Sequence, residues 1–190
     1  MKSICSDATA PINIIQNVPP CDLKCEYSFT YPKTNLVARN NGDYILFTPT
    51  ETGNTPPVIY NAKKYTVQGM RLYWPSLHTY GGVKQEGELI IDHAPFDGGN
   101  GLLVCIPVIK GAGGTGTLDE LVGNVAKLAP TKGTSAGQIN MPSFSFGDLV
   151  NKTTPPKTYS STRKGWKSGD DYVANIPDNI KKSQNQLLPL

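Results

Sequence analysis

Two stretches decide how this chain reads: Lys64-Tyr65-Thr66-Val67-Gln68-Gly69-Met70-Arg71-Leu72-Tyr73-Trp74 and Gly87-Glu88-Leu89-Ile90-Ile91-Asp92-His93. Both are rich in β-branched and aromatic residues, and both predict long strands. The run Leu102 to Ile109 follows and is nearly all apolar, as expected of a strand buried on both faces. Around these lie shorter strand candidates at Pro11–Ile15, Ser28–Tyr31 and Tyr44–Thr48, the last entered through the turn dipeptide Asn41-Gly42. One helix is predicted, with Thr117 as N-cap and Glu120 at the capping-box position. Its apolar face is expected to be Leu118, Leu121, Val122, Val125, Ala126 and Leu128, and Pro130 ends it.

The rest of the composition agrees with this pattern. Across 190 residues there are 19 Gly, 16 Pro and 9 Tyr, with 38% hydrophobic residues. That mixture favours many short strands joined by turns. The expected fold class is mainly β (α+β), in a single domain over residues 1–190. The net charge of +3 is too mild to argue for nucleic acid. The most basic stretch, Lys152 to Lys182, holds seven Lys/Arg against three Asp. It reads first as a solvated face, and second as a surface for an anionic partner through Lys152, Lys157, Arg163, Lys164 and Lys167. No apolar run reaches the roughly 18 residues of a membrane helix, and Met1 to Asp7 has no signal-peptide core. The chain is therefore expected to be soluble, without a membrane span.

Cysteines stand at 5, 21, 25 and 105. Cys105, inside an apolar run, reads as a buried free thiol. Cys5 can pair with Cys21 or Cys25, and the sequence does not choose. Gly111-Ala112-Gly113-Gly114-Thr115-Gly116 matches GxGxxG literally, but no acidic residue follows at the distance a dinucleotide site needs. It reads as a strand-to-helix turn, and no nucleotide is expected. His78 and His93 are the only histidines. On an extended strand Glu88, Ile90 and Asp92 share one face and His93 takes the other, so His93 and these carboxylates do not form a natural metal cluster. Both histidines read as hydrogen-bonded structural residues, with a metal at His78 or His93 as the alternative.

The order of these segments resembles the α-carbonic anhydrase family. Ala10-Pro11-Ile12-Asn13-Ile14 is similar to its Ser-Pro-Ile-x-Ile, and Asn41-Gly42 to its turn before a strand. Gln68 leading to Trp74 is similar to the approach to His-x-His-Trp. Ser76-Leu77-His78-Thr79 resembles Ser-Glu-His-Thr, and Glu88-Leu89-Ile90-Ile91-Asp92-His93 resembles Glu-Leu-His-x-x-His. Phe146-Gly147-Asp148-Leu149 and Ile176-Pro177…Gln186-Leu187 continue the series. The resemblance implies a central twisted, mostly antiparallel sheet with short peripheral helices. It implies Trp74, His78, Thr79, Glu88 and His93 as retained scaffold residues. It also implies a further C-terminal segment, which this chain does not show after Leu187.

The same resemblance assigns three histidines to a catalytic zinc, which needs three converging imidazoles and an open fourth position. Anchored on Trp74, the first two positions fall on Arg71 and Tyr73. Anchored on Gln68, they fall on Met70 and Leu72. The third falls on Ile90. None is a histidine. The expectation is therefore a protein that is not an enzyme and has no cofactor or zinc. Its expected role is a structural or binding component of a larger assembly, such as a viral capsid or virion surface. Its expected partners are other proteins of that assembly or an anionic glycan. The alternatives are an active metal-dependent hydratase or hydrolase with relocated ligands, and a glycan-binding adhesion domain. Thr153-Thr154-Pro155-Pro156 resembles the family's threonine segment, but it stands too far before Pro177 to align with it.

Overall fold

The computed structural model describes residues 9–15, 27–51, 56–109, 116–128, 131–139, 144–150, 157–163 and 170–174. The strands are β1 Thr9–Ala10, β2 Asn13–Ile14, β3 Tyr27–Phe29, β4 Leu36–Asn40, β5 Tyr44–Pro49, β6 Val58–Tyr60 and β7 Lys63–Tyr73. They continue with β8 Thr79–Tyr80, β9 Val83–Lys84, β10 Gly87–Pro95, β11 Leu102–Val108, β12 Ser135–Ile139, β13 Lys157–Arg163 and β14 Asp170–Ala174. The helix α1 spans Thr117–Leu128, and a single 3-10 turn spans Phe146–Asp148.

The two stretches that decide the reading become the two central strands. The main sheet runs β1-β13-β14-β11-β10-β7-β5-β4-β12, with β6 also paired to β7 and β3 to β6. Its pairs are antiparallel except β1 with β13 and β11 with β14. A small second sheet has the order β2-β8-β9. This is the expected mainly β, mostly antiparallel architecture with little helix. Strand β10 is buried on both faces because a core packs on each side of the sheet: Leu89 and Ile91 enter one core and Ile90 the other. The larger core gathers Leu36, Phe47, Val58, Tyr65, Met70, Leu102 and Val104 under Leu121 and Val125 of α1 and under Phe144 and Phe146. The smaller core, on the opposite face, holds Ile14, Tyr73, Tyr80, Ile90, Leu103 and Cys105.

Strand β7 changes face partway along. Asp92 pairs with Gly69 but His93 pairs with Val67, so Gln68 is an extra residue without a partner across the ladder. Such a bulge reverses the inside–outside alternation on either side of it. Tyr65 and Val67 face the larger core before it, and Met70 faces the same core after it. Glycine at 69 lets the bulge pass β5, because a Cβ there would sit 2.9 Å from the carbonyl oxygen of Phe47. In the turn between β4 and β5, Gly42 takes φ +93°, a conformation favoured by glycine.

The helix departs from its expected cap by one residue. Thr117 is already helical, and the backbone N–H of Gly116 donates to Asp119 Oδ2 at 3.2 Å. Val122, expected on the buried face, is 41% exposed, and Ala126 is exposed too. The face that packs is Leu118, Leu121 and Val125. Among the described side chains this is a narrower stripe than expected. The N-terminal cysteines, the glycine run 111–115, Thr153-Thr154 and the segment 176–190 lie outside the described residues.

His93 is scaffold of a definite kind. Its Nδ1 lies 3.1 Å from the carbonyl oxygen of Leu102, which can only accept, so Nδ1 carries the proton. Nε2 therefore accepts from the Tyr31 hydroxyl at 2.8 Å, and Tyr27 donates to Tyr31 at 3.1 Å. Burial pushes the imidazole down from 6.5 to about 4, and pushes the Tyr31 phenol well above its usual value. The neutral ring suits the folded state, and the unfolded chain binds the proton more readily. Stability therefore rises with pH through this window. It is fully present above 6.5 and is lost as pH falls toward 4, by about 3 kcal/mol. In urea unfolding, His93→Gln is expected to flatten the pH dependence between 4 and 6.5. An unchanged slope contradicts this assignment.

Candidate functional site

The bulge at Gln68 decides which residues of β7 look toward the smaller core. After it, Arg71 stands directly opposite Ile90, and Tyr73 opposite Glu88. Met70 is fully buried in the larger core and Leu72 packs against that core, both on the other side of the sheet. Counting from Trp74 stays downstream of the bulge, so Arg71, Tyr73 and Ile90 are the residues that share a face.

That face is a stripe crossing four strands. Tyr44 of β5 lies across from Tyr73, with ring centroids 5.2 Å apart. Arg71 lays its guanidinium carbon 5.5 Å from the Tyr44 ring centre and its Nε 2.9 Å from Asp92 Oδ2. The cation is thus held between a carboxylate and an aromatic face. The Arg71 side chain keeps 19% of its surface exposed and Asp92 keeps 9%, so the pair closes the stripe where it meets solvent. Beyond it lie Ile90 and then Leu103 and Cys105 of β11, all buried.

Deeper in, Glu88 is fully buried and accepts three hydrogen bonds. Oε2 takes the backbone N–H of His78 at 2.9 Å. Oε1 takes His78 Nδ1 at 2.8 Å and the Tyr80 hydroxyl at 2.6 Å. Ser76 holds the approach to this knot, donating from Oγ to the carbonyl of His78 at 2.7 Å. Glu88, expected to be a retained carboxylate with no ligand to hold, therefore holds a histidine and a tyrosine. Cys105, Glu88 and His78 each offer a ligand atom, and these atoms lie within 4.8 Å of one another. The cysteine was readable only as a buried thiol. Its place beside His78 and Glu88 depends on the β10–β11 register, in which it faces Ile90.

The other sequence-singled residues divide. Thr79 donates to Asn13 Oδ1 at 3.0 Å and ties β8 to β2. Trp74, expected as scaffold, is 64% exposed and serves mainly by lying over Gly87, where a Cβ would come within 2.6 Å of the indole. Lys152, Lys164 and Lys167 lie outside the described residues, and Lys157 and Arg163 belong to β13, of which the backbone alone is described.

The three positions to which the resemblance assigns zinc histidines do not fit that ion. Ile90 offers no donor atom, and the Arg71 cation at the first position is already paired with Asp92. No zinc step is derived there.

No protein-family model matches this sequence, and no curated protein is similar to it at the sequence level. Solved structures are. An α-carbonic anhydrase from Photobacterium profundum superposes with a TM-score of 0.71 at 18% identity, over 96% of this chain and 82% of that one. Dioscorin complexed with ascorbate gives 0.70 at 16% identity, over 90% and 70%. The α-carbonic anhydrase of Thermovibrio ammonificans, in complex with sulfanilamide, gives 0.69 at 20% identity, over 88% and 71%. The protein thus has the α-carbonic anhydrase fold.

One expectation is corrected here. The missing histidines pointed to a protein that is not an enzyme. Two findings overturn that: its structural neighbours include carbonic anhydrases, and His78, Glu88 and Cys105 form a group able to hold a metal. Losing ligands at one place on the sheet is no argument against metal binding elsewhere in the chain.

Proposed function

We propose that this protein binds a small oxyanion, of the carboxylate or carbonate class, on the sheet face at Arg71. The observation that carries the reading is the guanidinium itself. It stands at the first position the resemblance gives to a metal ligand, on the face shared by Tyr73 and Ile90, with part of its surface open. A guanidinium presents several N–H donors in one plane and recognises planar oxyanions in pairs. Asp92 and the Tyr44 ring fix its direction, so an anion meets a positioned donor plane beside the carboxylate. Dioscorin, a neighbour in fold, is described in complex with ascorbate, itself an organic anion, which supports testing that class.

Calorimetric titration at low salt with bicarbonate, acetate and ascorbate tests the reading. At least one should bind, and Arg71→Leu should weaken it by about ten- to a hundredfold, the cost of one charged hydrogen-bonded contact. Absence of binding to all three, or equal affinity in the variant, contradicts it.

A second reading, membership of a larger assembly, is favoured by Trp74 and Phe96, which are 64% and 60% exposed. Large apolar side chains in water favour a partner surface. Light scattering on the purified protein should then give a mass above that of one chain. A clean monomer at all concentrations speaks against it.

A further inference from the structure

We propose that His78, Glu88 and Cys105 form a structural site for a divalent ion of the zinc class, separate from the three positions that the resemblance gives to zinc. The three residues come from three places in the chain. His78 precedes β8 of the small sheet, Glu88 lies on β10, and Cys105 lies on β11. All three are buried, and their ligand atoms fall within 4.8 Å of one another. Imidazole nitrogen, carboxylate oxygen and thiolate sulfur form the mixed donor set that zinc accepts and that magnesium and calcium do not.

Glu88 is held as an acceptor by His78 and Tyr80, and it lies on β10 two residues from Ile90 of the smaller core. A carboxylate in such a place is costly unless opposite charge or several donors meet it. His78 Nδ1 and Glu88 Oε1 already face each other at 2.8 Å, so a metal would take the place of the proton between them. As the ion binds, the Cys105 thiol loses its proton to solvent and the His78 ring proton leaves Nδ1 for Nε2, so one proton is released and uptake is tighter at higher pH. Because all three residues are buried, the ion joins the small sheet to β10 and β11 and stabilises the fold.

The test uses the whole chain carrying Cys5→Ser, Cys21→Ser and Cys25→Ser, in which Cys105 is the only thiol. After zinc loading and dialysis against metal-free buffer, elemental analysis should find one zinc per chain. Cobalt in its place should give a sulfur-to-cobalt charge-transfer band, and chelation should lower the melting temperature. Adding Cys105→Ala should abolish the band and at least tenfold of the affinity, with folding checked by circular dichroism. Loss of the band in His78→Gln is expected as well. No retained zinc, or cobalt bound without the band, overturns the proposal even if the variants fail to fold. Equal affinity in folded Cys105→Ala overturns it too.

Discussion

The structure turns on one buried carboxylate. Glu88 has no exposed surface, yet it sits on the central strand with three donors converging on it. A buried charge left without partners costs about 3–5 kcal/mol, so strand and donors must assemble together. Two of the donors belong to His78 and the third to Tyr80, which lies on the small sheet. The carboxylate therefore ties the small sheet to the large one. It also sits opposite Tyr73, so it marks the register of β10 against β7.

Register has consequences because the side-chain alternation of a strand has no tolerance for a one-residue error. The single unpaired residue at Gln68 turns Met70 into the larger core and leaves Arg71 on the face shared with Ile90. A β7 without the bulge would reverse that choice. It would bury a guanidinium in a core of Phe47, Leu89 and Val104, and turn Met70 to the other face. The Arg71–Asp92 pair and the Tyr44 ring are thus a product of the bulge as much as of the residues themselves. The same α-carbonic anhydrase fold is kept by the solved neighbours at 16% to 20% identity.

Much of the architecture was legible before any coordinates. Alternation placed β5, β7, β10 and β11 within a residue or two, because half-buried and fully buried strands leave plain apolar patterns. The order of motifs pointed to the fold. The site was less legible. Parity along Lys64–Trp74 fails at Gln68, and nothing in that residue type announces an unpaired position. Cys105 reads as one more apolar residue until the pairing of β10 with β11 puts it across from Ile90. Trp74 was expected as scaffold from the resemblance, and its exposure follows from its place just beyond the end of β7. The helix cap moved from Thr117 to Gly116, whose backbone N–H donates to Asp119 Oδ2.

The central claim is that Arg71, held by Asp92 and Tyr44, is the anion-recognising group of this sheet face. The most direct measurement is the Nε–H resonance of Arg71 in 15N-labelled protein, assigned by its loss in Arg71→Lys. The account predicts a resolved, slowly exchanging signal that shifts on adding the bound anion, together with the Tyr44 and Tyr73 ring signals and ahead of those of the larger core. A signal that exchanges as fast as a solvated arginine, or that stays fixed while the anion saturates the protein, would contradict it.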